Sequence, residues 1–159
     1  MLKLNLDDKI FDNVSEKEKE LFNDKIQKIV NYAIKEEQLD NKNIYVSIEA
    51  VSKEEIKNIN KKYRNIDKET DVLSFPIFEK IELDEIKKSN ISEVELGDIF
   101  LCIDVIKKQA VEYETGFKRE LLYMITHGMF HLLGYDHIDE LDKKIMRIKE
   151  EKILNGEVC

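Results

Sequence analysis

All three histidines of this 159-residue chain lie in one eleven-residue stretch, HGMFHLLGYDH, at His127, His131 and His137, with Gly134 between the second and third. A separation of four places His127 and His131 one turn apart on a single helical face. The glycine then allows the chain to reverse and return the third imidazole to the same point. Around the pair, Leu121, Leu122, Met124, Ile125, Met129, Phe130, Leu132 and Leu133 are apolar on most sides of the helix. The stretch therefore predicts a buried central helix over about 117–133, stopped by Gly134, with its imidazoles turned to one point.

Three nitrogens converging in this way describe a metal site. Burying two imidazoles on one face costs free energy that a bound ion recovers. Zinc, one per chain, is the expected ion: neutral imidazole suits it, and three protein ligands leave a fourth position for water, as in catalytic sites. A purely structural site needs a fourth side chain, for which Asp136 and Cys102 are available. Asp136, adjacent to a ligand, reads better as a hydrogen-bonding neighbour or a turn former.

The rest of the chain predicts an α/β domain: one unit over 1–159, a small mixed sheet of about four strands packed by about five helices. Strands are expected at 2–6, 44–50, 72–78 and 97–103, with Pro76, the sole proline, marking an exposed edge. Ser15 with Glu18 and Ser52 with Glu55 read as capping boxes. The first opens a helix with Leu21, Phe22, Ile26, Ile29, Val30, Ala33 and Ile34 inward. The second opens one with Ile56, Ile59 and Tyr63 inward. A short helix follows Asp104, and Asp139 caps a last helix, ending at Gly156, whose apolar face is Leu141, Ile145, Ile148 and Ile153. The charged segment 79–95 reads as a solvated connector, with a lid over the site as the alternative. The acidic start, the lack of any membrane-spanning run and the two cysteines, Cys102 and Cys159, predict a cytoplasmic protein with no membrane association.

The spacing of the histidines is also that of metzincin peptidases, HExxHxxGxxH, except that Gly128 stands where those enzymes carry glutamate. That glutamate takes the proton from the attacking water, help worth about 10²–10⁴-fold, so a peptidase is a poor reading of this chain.

Beyond the histidines, YRNIDKETDVLSFP at 63–76 and LGDIFL at 96–101 complete a pattern. With HGMFHLLGYDH they resemble, in order and over most of the chain, the YbeY endoribonuclease family. The resemblance implies an α/β fold and a single-strand-specific, metal-dependent endoribonuclease that matures ribosomal RNA, particularly the 3′ end of the small-subunit RNA, and acts in ribosome quality control. It implies zinc on His127, His131 and His137 and a functional Arg64. It also implies single-stranded and ribosomal RNA, small-subunit ribosomal proteins and a ribosome-associated GTPase as partners.

A guanidinium independently suits Arg64 to hold a scissile phosphate or the charge of the transition state, although an arginine at a helix end also simply favours the helix dipole. Asp71 and Ser74 read either as hydrogen-bonding partners near the site or, for Asp71, as a cap before the strand. Glu120, about two turns before His127, is a candidate support for the histidines, and Tyr135 either stacks on a base or packs. The expected chemistry is attack of zinc-activated water on a phosphodiester. The ribose 2′-hydroxyl is the alternative nucleophile.

A formal charge of −8 opposes RNA binding, which rests on phosphate neutralisation. Lys61, Lys62, Arg64 and Lys68, and Lys107, Lys108, Lys118 and Arg119 flanking the approach to the histidine helix, are the clusters that compensate if any do. A non-catalytic ribosome assembly factor with a stabilising zinc is the rival from outside the enzymes.

Overall fold

The computed structural model describes residues 1–12, 14–136 and 140–155. Four strands, β1 (Leu2–Leu6), β2 (Asn43–Ala50), β3 (Val72–Pro76) and β4 (Glu93–Leu101), form one sheet in the order β1-β2-β4-β3. β1, β2 and β4 are parallel, and β3 runs antiparallel to β4 at one edge. Around the sheet lie α1 (Glu16–Glu36), α2 (Lys53–Arg64), α3 (Lys80–Lys87), α4 (Ile103–Glu112), α5 (Phe117–Leu132) and α6 (Glu140–Ile153). The expected mixed four-stranded α/β architecture is what the chain forms, with one helix more than expected.

Alternation along the strands sets the layers. Ile44, Val46, Ile48 and Ala50 of β2 are buried, and the residues between them are not. In β4 the buried set begins as Val94 and Leu96 and continues as Ile99 and Leu101, a change of parity that one extra residue must absorb. The extra residue is Leu96: the register steps from Tyr45↔Glu95 to Val46↔Gly97. Such a bulge keeps both halves of β4 facing the core. Gly97 follows at φ +135°, and a Cβ there would stand 2.1 Å from the carbonyl oxygen of Phe75, so glycine is required where β3 meets the bulge.

On this inner face α5 packs close to β4, because Gly128 leaves room for Ile99, whose side-chain atoms begin 3.0 Å from where its Cβ would lie. On the other face α2 covers only the β3–β4 end, with Ile56, Leu73 and Cys102 at its centre. β3 is an edge strand, as Pro76 foretold.

Several expectations are corrected. Leu21, Tyr63, Leu141 and Ile148 are 51–65% exposed, and Ile145 is exposed too. The buried residues of α6 are Met146, Glu150 and Ile153, so of the leucine–isoleucine face that the apolar period suggested Ile153 alone is buried. Leu141, Ile145 and Ile148 repeat at helical spacing, but the α5 and α1 side of α6 is the side that carries Met146 and Glu150. Segment 79–95 is neither a solvated connector nor a loose lid. It forms α3, with Leu83 and Ile86 buried, and the first residues of β4, which starts at Glu93 rather than Gly97. The caps placed at Asp139 and Gly156 lie outside the described residues, as does Cys159.

Candidate active site

Residues from four segments meet in a cleft of about 730 Å³ along the outer edge of β3. α5 supplies His127 and His131; the chain after it supplies Gly134, Tyr135 and Asp136. The C-terminus of α2 supplies Arg64, β3 and its entry supply Asp71 and Ser74, and Glu79 and Lys80 at the start of α3 close one side. Gly134 has φ +96°, and a Cβ there would lie 2.7 Å from the backbone of Lys80, so the reversal foreseen after α5 is also what seats α3 against the cleft.

The imidazoles face one another, with His131 Nε2 3.0 Å from His127 Nε2. Each ring is fixed from behind. His131 Nδ1 lies 2.9 Å from the backbone oxygen of Tyr135, which can only accept, so Nδ1 carries the proton and Nε2 the lone pair. His127 Nδ1 lies 2.9 Å from Oε1 of Glu150, a carboxylate 3% exposed, and the same logic turns its Nε2 lone pair inward. Two lone pairs at that distance repel unless a proton or a cation lies between them.

The pair thus tests as a fit for a metal. Both nitrogens are near enough for one ion to sit about 2.0–2.1 Å from each, the usual zinc–imidazole length. Both imidazoles also hold the carboxylate and carbonyl partners that metal-binding histidines typically use. Among the described residues no three histidine, cysteine, aspartate or glutamate side chains form a metal-holding group. His137, the third ligand of the sequence motif, lies outside them.

Glu150 was not foreseen. It also receives the hydroxyl of Tyr123, whose ring lies beside His127 with the planes 16° apart. Burial first, and then the facing Glu150 carboxylate, push the Tyr123 phenol up to about 12. The sequence signal was a glutamate at i+4 from Met146 and i−3 from Ile153, an acid on an otherwise apolar stripe.

Arg64, the residue singled out in α2, donates from Nη2 to the Ser74 carbonyl at 3.0 Å and lies over Phe75, 5.8 Å from its ring centre. Its helix ends in Asn65 at φ 57°, a left-handed cap that turns the chain toward β3. Asp71 does cap the strand entry: Oδ1 receives the Val72 amide at 2.8 Å and the Thr70 hydroxyl at 3.2 Å. Ser74 is buried in the cleft wall, and Asp136 lines the cleft beside it.

Glu120 is brought elsewhere, receiving the Thr115 hydroxyl at 2.7 Å at the start of α5. Tyr135 packs: Phe130 meets it edge-on, Lys80 Nζ lies 4.0 Å from its ring centre, and burial pushes its phenol up to about 12. Cys102 is fully buried under α2, where desolvation raises its thiol, and is not part of the cleft. Lys107 and Lys118 line a different groove, between α1 and α4, and do not flank the histidines.

An α/β protein whose buried helix presents two inward-facing imidazoles to an arginine across an edge-strand cleft has, in outline, the site of a hydrolase. Comparison with known proteins narrows that class. Residues 9–157 match the family model described as Endoribonuclease YbeY. A Clostridium botulinum (strain 657 / Type Ba4) protein named Endoribonuclease YbeY is 43% identical over 148 residues, covering 86% of this chain and 89% of its own. A protein of the same name from Thermoanaerobacter sp. (strain X514) is 42% identical over 134 residues, 81% of this chain and 83% of its own. The solution structure of a Thermotoga maritima protein shares the fold, with a TM-score of 0.54 at 23% identity over 97% of this chain and 91% of that one. This chain belongs to the YbeY endoribonuclease family.

Proposed function

We propose that the chain is a single-strand-specific, zinc-dependent endoribonuclease of ribosomal RNA processing, acting at the 3′ end of the small-subunit RNA and in ribosome quality control. The observation that carries the reading is the pair of Nε2 atoms 3.0 Å apart, each turned inward by a partner on Nδ1, in the same cleft as Arg64. His127 and His131, with His137 added from the sequence motif, would hold one zinc ion. When bound, that ion supplies a Lewis acid and a water acidified towards neutrality.

The chain's own residues do the rest. Arg64 spends one donor on Ser74, which fixes the guanidinium, and its remaining donors are available to a phosphate oxygen and to the charge that grows in the transition state. Among the described residues Asp71, Glu79 and Asp136 are the carboxylates that line the cleft and are in reach for moving a proton.

A peptidase is disfavoured on two grounds. A glutamate at position 128 would project into Ile99 of β4 and not into the cleft. Part of the outward backbone of β3 is also taken, Val72 N–H by Asp71 and Ser74 C=O by Arg64, and Pro76 has no N–H, so an extended peptide finds fewer groups to pair with along this edge.

With a net charge of −8 the intrinsic grip on RNA is weak, and small-subunit ribosomal proteins and a ribosome-associated GTPase supply recruitment in the cytoplasm. Among the described residues no helix is long and apolar enough to cross a membrane.

The experiment is cleavage of a labelled single-stranded ribosomal RNA fragment by metal-quantified protein, with His131→Ala and Arg64→Ala purified identically. Loss of cleavage in both, with metal retained in Arg64→Ala, establishes the reading. Equal cleavage in all three means a contaminating nuclease and favours a non-catalytic assembly factor. A 2′,3′-cyclic phosphate end would assign the attack to the ribose hydroxyl.

A further inference from the structure

An enzyme that cuts inside a strand must let that strand leave its site in two directions, and the Arg64 cleft provides one. His127 is also a wall of a second, smaller cleft, of about 380 Å³, between α5 and α6. Along its rim run Glu140, Lys143, Lys144 and Arg147, spaced i, i+3, i+4 and i+7 and therefore on one face of α6. Behind them, Tyr123 and Glu150 complete the wall next to His127.

The cations of α6 fall into two groups. Lys149 pairs with Glu37 at 3.2 Å and Lys152 pairs with Glu36, so the side of α6 turned to α1 is neutralised. Lys143, Lys144 and Arg147 are exposed and make no hydrogen bond or ion pair among the described residues. Of the acids in this cleft, Glu150 is buried behind His127 and Tyr123 and Glu140 is exposed, so two carboxylates face three cations. A chain with 34 acidic and 26 basic residues thus gathers a local excess of positive charge in a groove that opens from its imidazole pair.

We propose that Lys143, Lys144 and Arg147 form a second binding arm that holds the phosphodiester backbone of single-stranded RNA on the side of His127 away from Arg64. The inference rests on the ribonuclease reading above and extends it by naming the strand's second exit. Recognition by these side chains is of phosphates and not of bases, so the arm sets affinity and position without sequence preference.

The test compares the intact chain with K143A/K144A/R147A and with K149A/K152A, which lowers the net charge at already paired positions. Binding of a labelled single-stranded RNA to the metal-loaded protein is followed by anisotropy at times before cleavage, across a salt series, and cleavage is followed separately. Single strands give a slope of log K against log salt of about −0.7 per neutralised phosphate, so the triple variant should flatten it by about 2 and the double variant should leave it unchanged. In cleavage, KM should rise with kcat retained. RNA shortened on one side of the cleavage point should abolish the difference between the intact chain and the triple variant, and RNA shortened on the other side should preserve it.

Equal slopes and KM in the intact and triple proteins would overturn the arm while leaving the ribonuclease reading standing. Equal effects of the triple and double variants would overturn it as well, by tracing the binding to net charge. A flattened slope in a protein that cleaves no RNA would uphold the arm and sink the ribonuclease reading.

Discussion

His127 Nδ1 meets Glu150 Oε1 at 2.9 Å, across a separation of 23 residues, and joins the imidazole pair of α5 to a helix that otherwise touches the site only at its rim. The contact decides which nitrogen of His127 faces the cleft. With Nδ1 held by a buried carboxylate, Nε2 is left facing inward, and the Tyr123 hydroxyl on the same carboxylate keeps it from rotating away.

Glu150→Gln should therefore retain the fold and weaken zinc binding, since an amide can still accept from Nδ1 but no longer offers a carboxylate to it. Loss of such a partner typically lowers metal affinity about 10–100-fold. Competition for zinc against a chromophoric chelator measures it. An affinity equal to that of the intact chain would show that the imidazole orientation does not depend on Glu150.

Arg64→Ala should leave thermal stability nearly unchanged, because the residue is exposed and gives up one hydrogen bond to the Ser74 carbonyl. Its effect should fall on cleavage, by about 10²–10³-fold in kcat if the guanidinium stabilises transition-state charge. Arg64→Lys should recover little, since an ammonium cannot bond Ser74 and present a second donor in the same plane. Rates of the two variants at matched metal content test this.

The site was legible where its chemistry needs a rare residue at a fixed spacing. Histidines four apart, a glycine at the reversal and an arginine in a recognisable block each leave a mark that composition does not hide. Glu150 left only a faint one, its helical spacing from Met146 and Ile153, because a glutamate in ELDKKIMRIKEEK looks like one more solvated charge until α5 is packed against it. The same helix shows why the apolar period misled: Leu141, Ile145 and Ile148 repeat at helical spacing yet stay exposed, and the inward stripe is set by tertiary contact with α5 and α1. Segment 79–95 failed for a related reason. The two inward residues of α3, Leu83 and Ile86, are too few to stand out among charges, but they suffice once Gly134 lets Lys80 approach.

Tyr123 and Tyr135 should be the last tyrosines to ionise. Burial holds both phenols at about 12, above the ordinary value near 10. A group whose pKa is raised on folding stabilises the fold fully below its unfolded pKa. The folded state therefore loses stability as pH climbs from about 10 towards 12, and nothing is lost on this account at neutral pH. Phenolate absorbance and denaturant midpoints taken across that window should show late ionisation and falling stability together. Complete titration of all tyrosines by pH 11 without unfolding would contradict the buried assignment.

The glycines of the sheet and of α5 should rank by what surrounds them. At Gly97 a methyl group would overlap the Phe75 carbonyl oxygen, at 2.1 Å, and the backbone stands at φ +135°. Neither the strand pairing nor the bulge can yield without losing register, so Gly97→Ala should cost at least about 3 kcal/mol. At Gly128 the neighbour is the Ile99 side chain, beginning at 3.0 Å, and the helix itself prefers alanine by about 1 kcal/mol. Gly128→Ala should consequently cost no more than about 1–2 kcal/mol, the price of modest overpacking. Gly128→Glu, which rebuilds the peptidase motif in sequence, drives a carboxylate into the β4 side of the core and should prevent folding without creating proteolysis. Urea midpoints for the two alanine variants, with circular dichroism and a casein assay for the glutamate variant, check the order. If Gly97→Ala proved milder than Gly128→Ala, the close contact between β3 and the bulge of β4 would not be the constraint that makes position 97 a glycine.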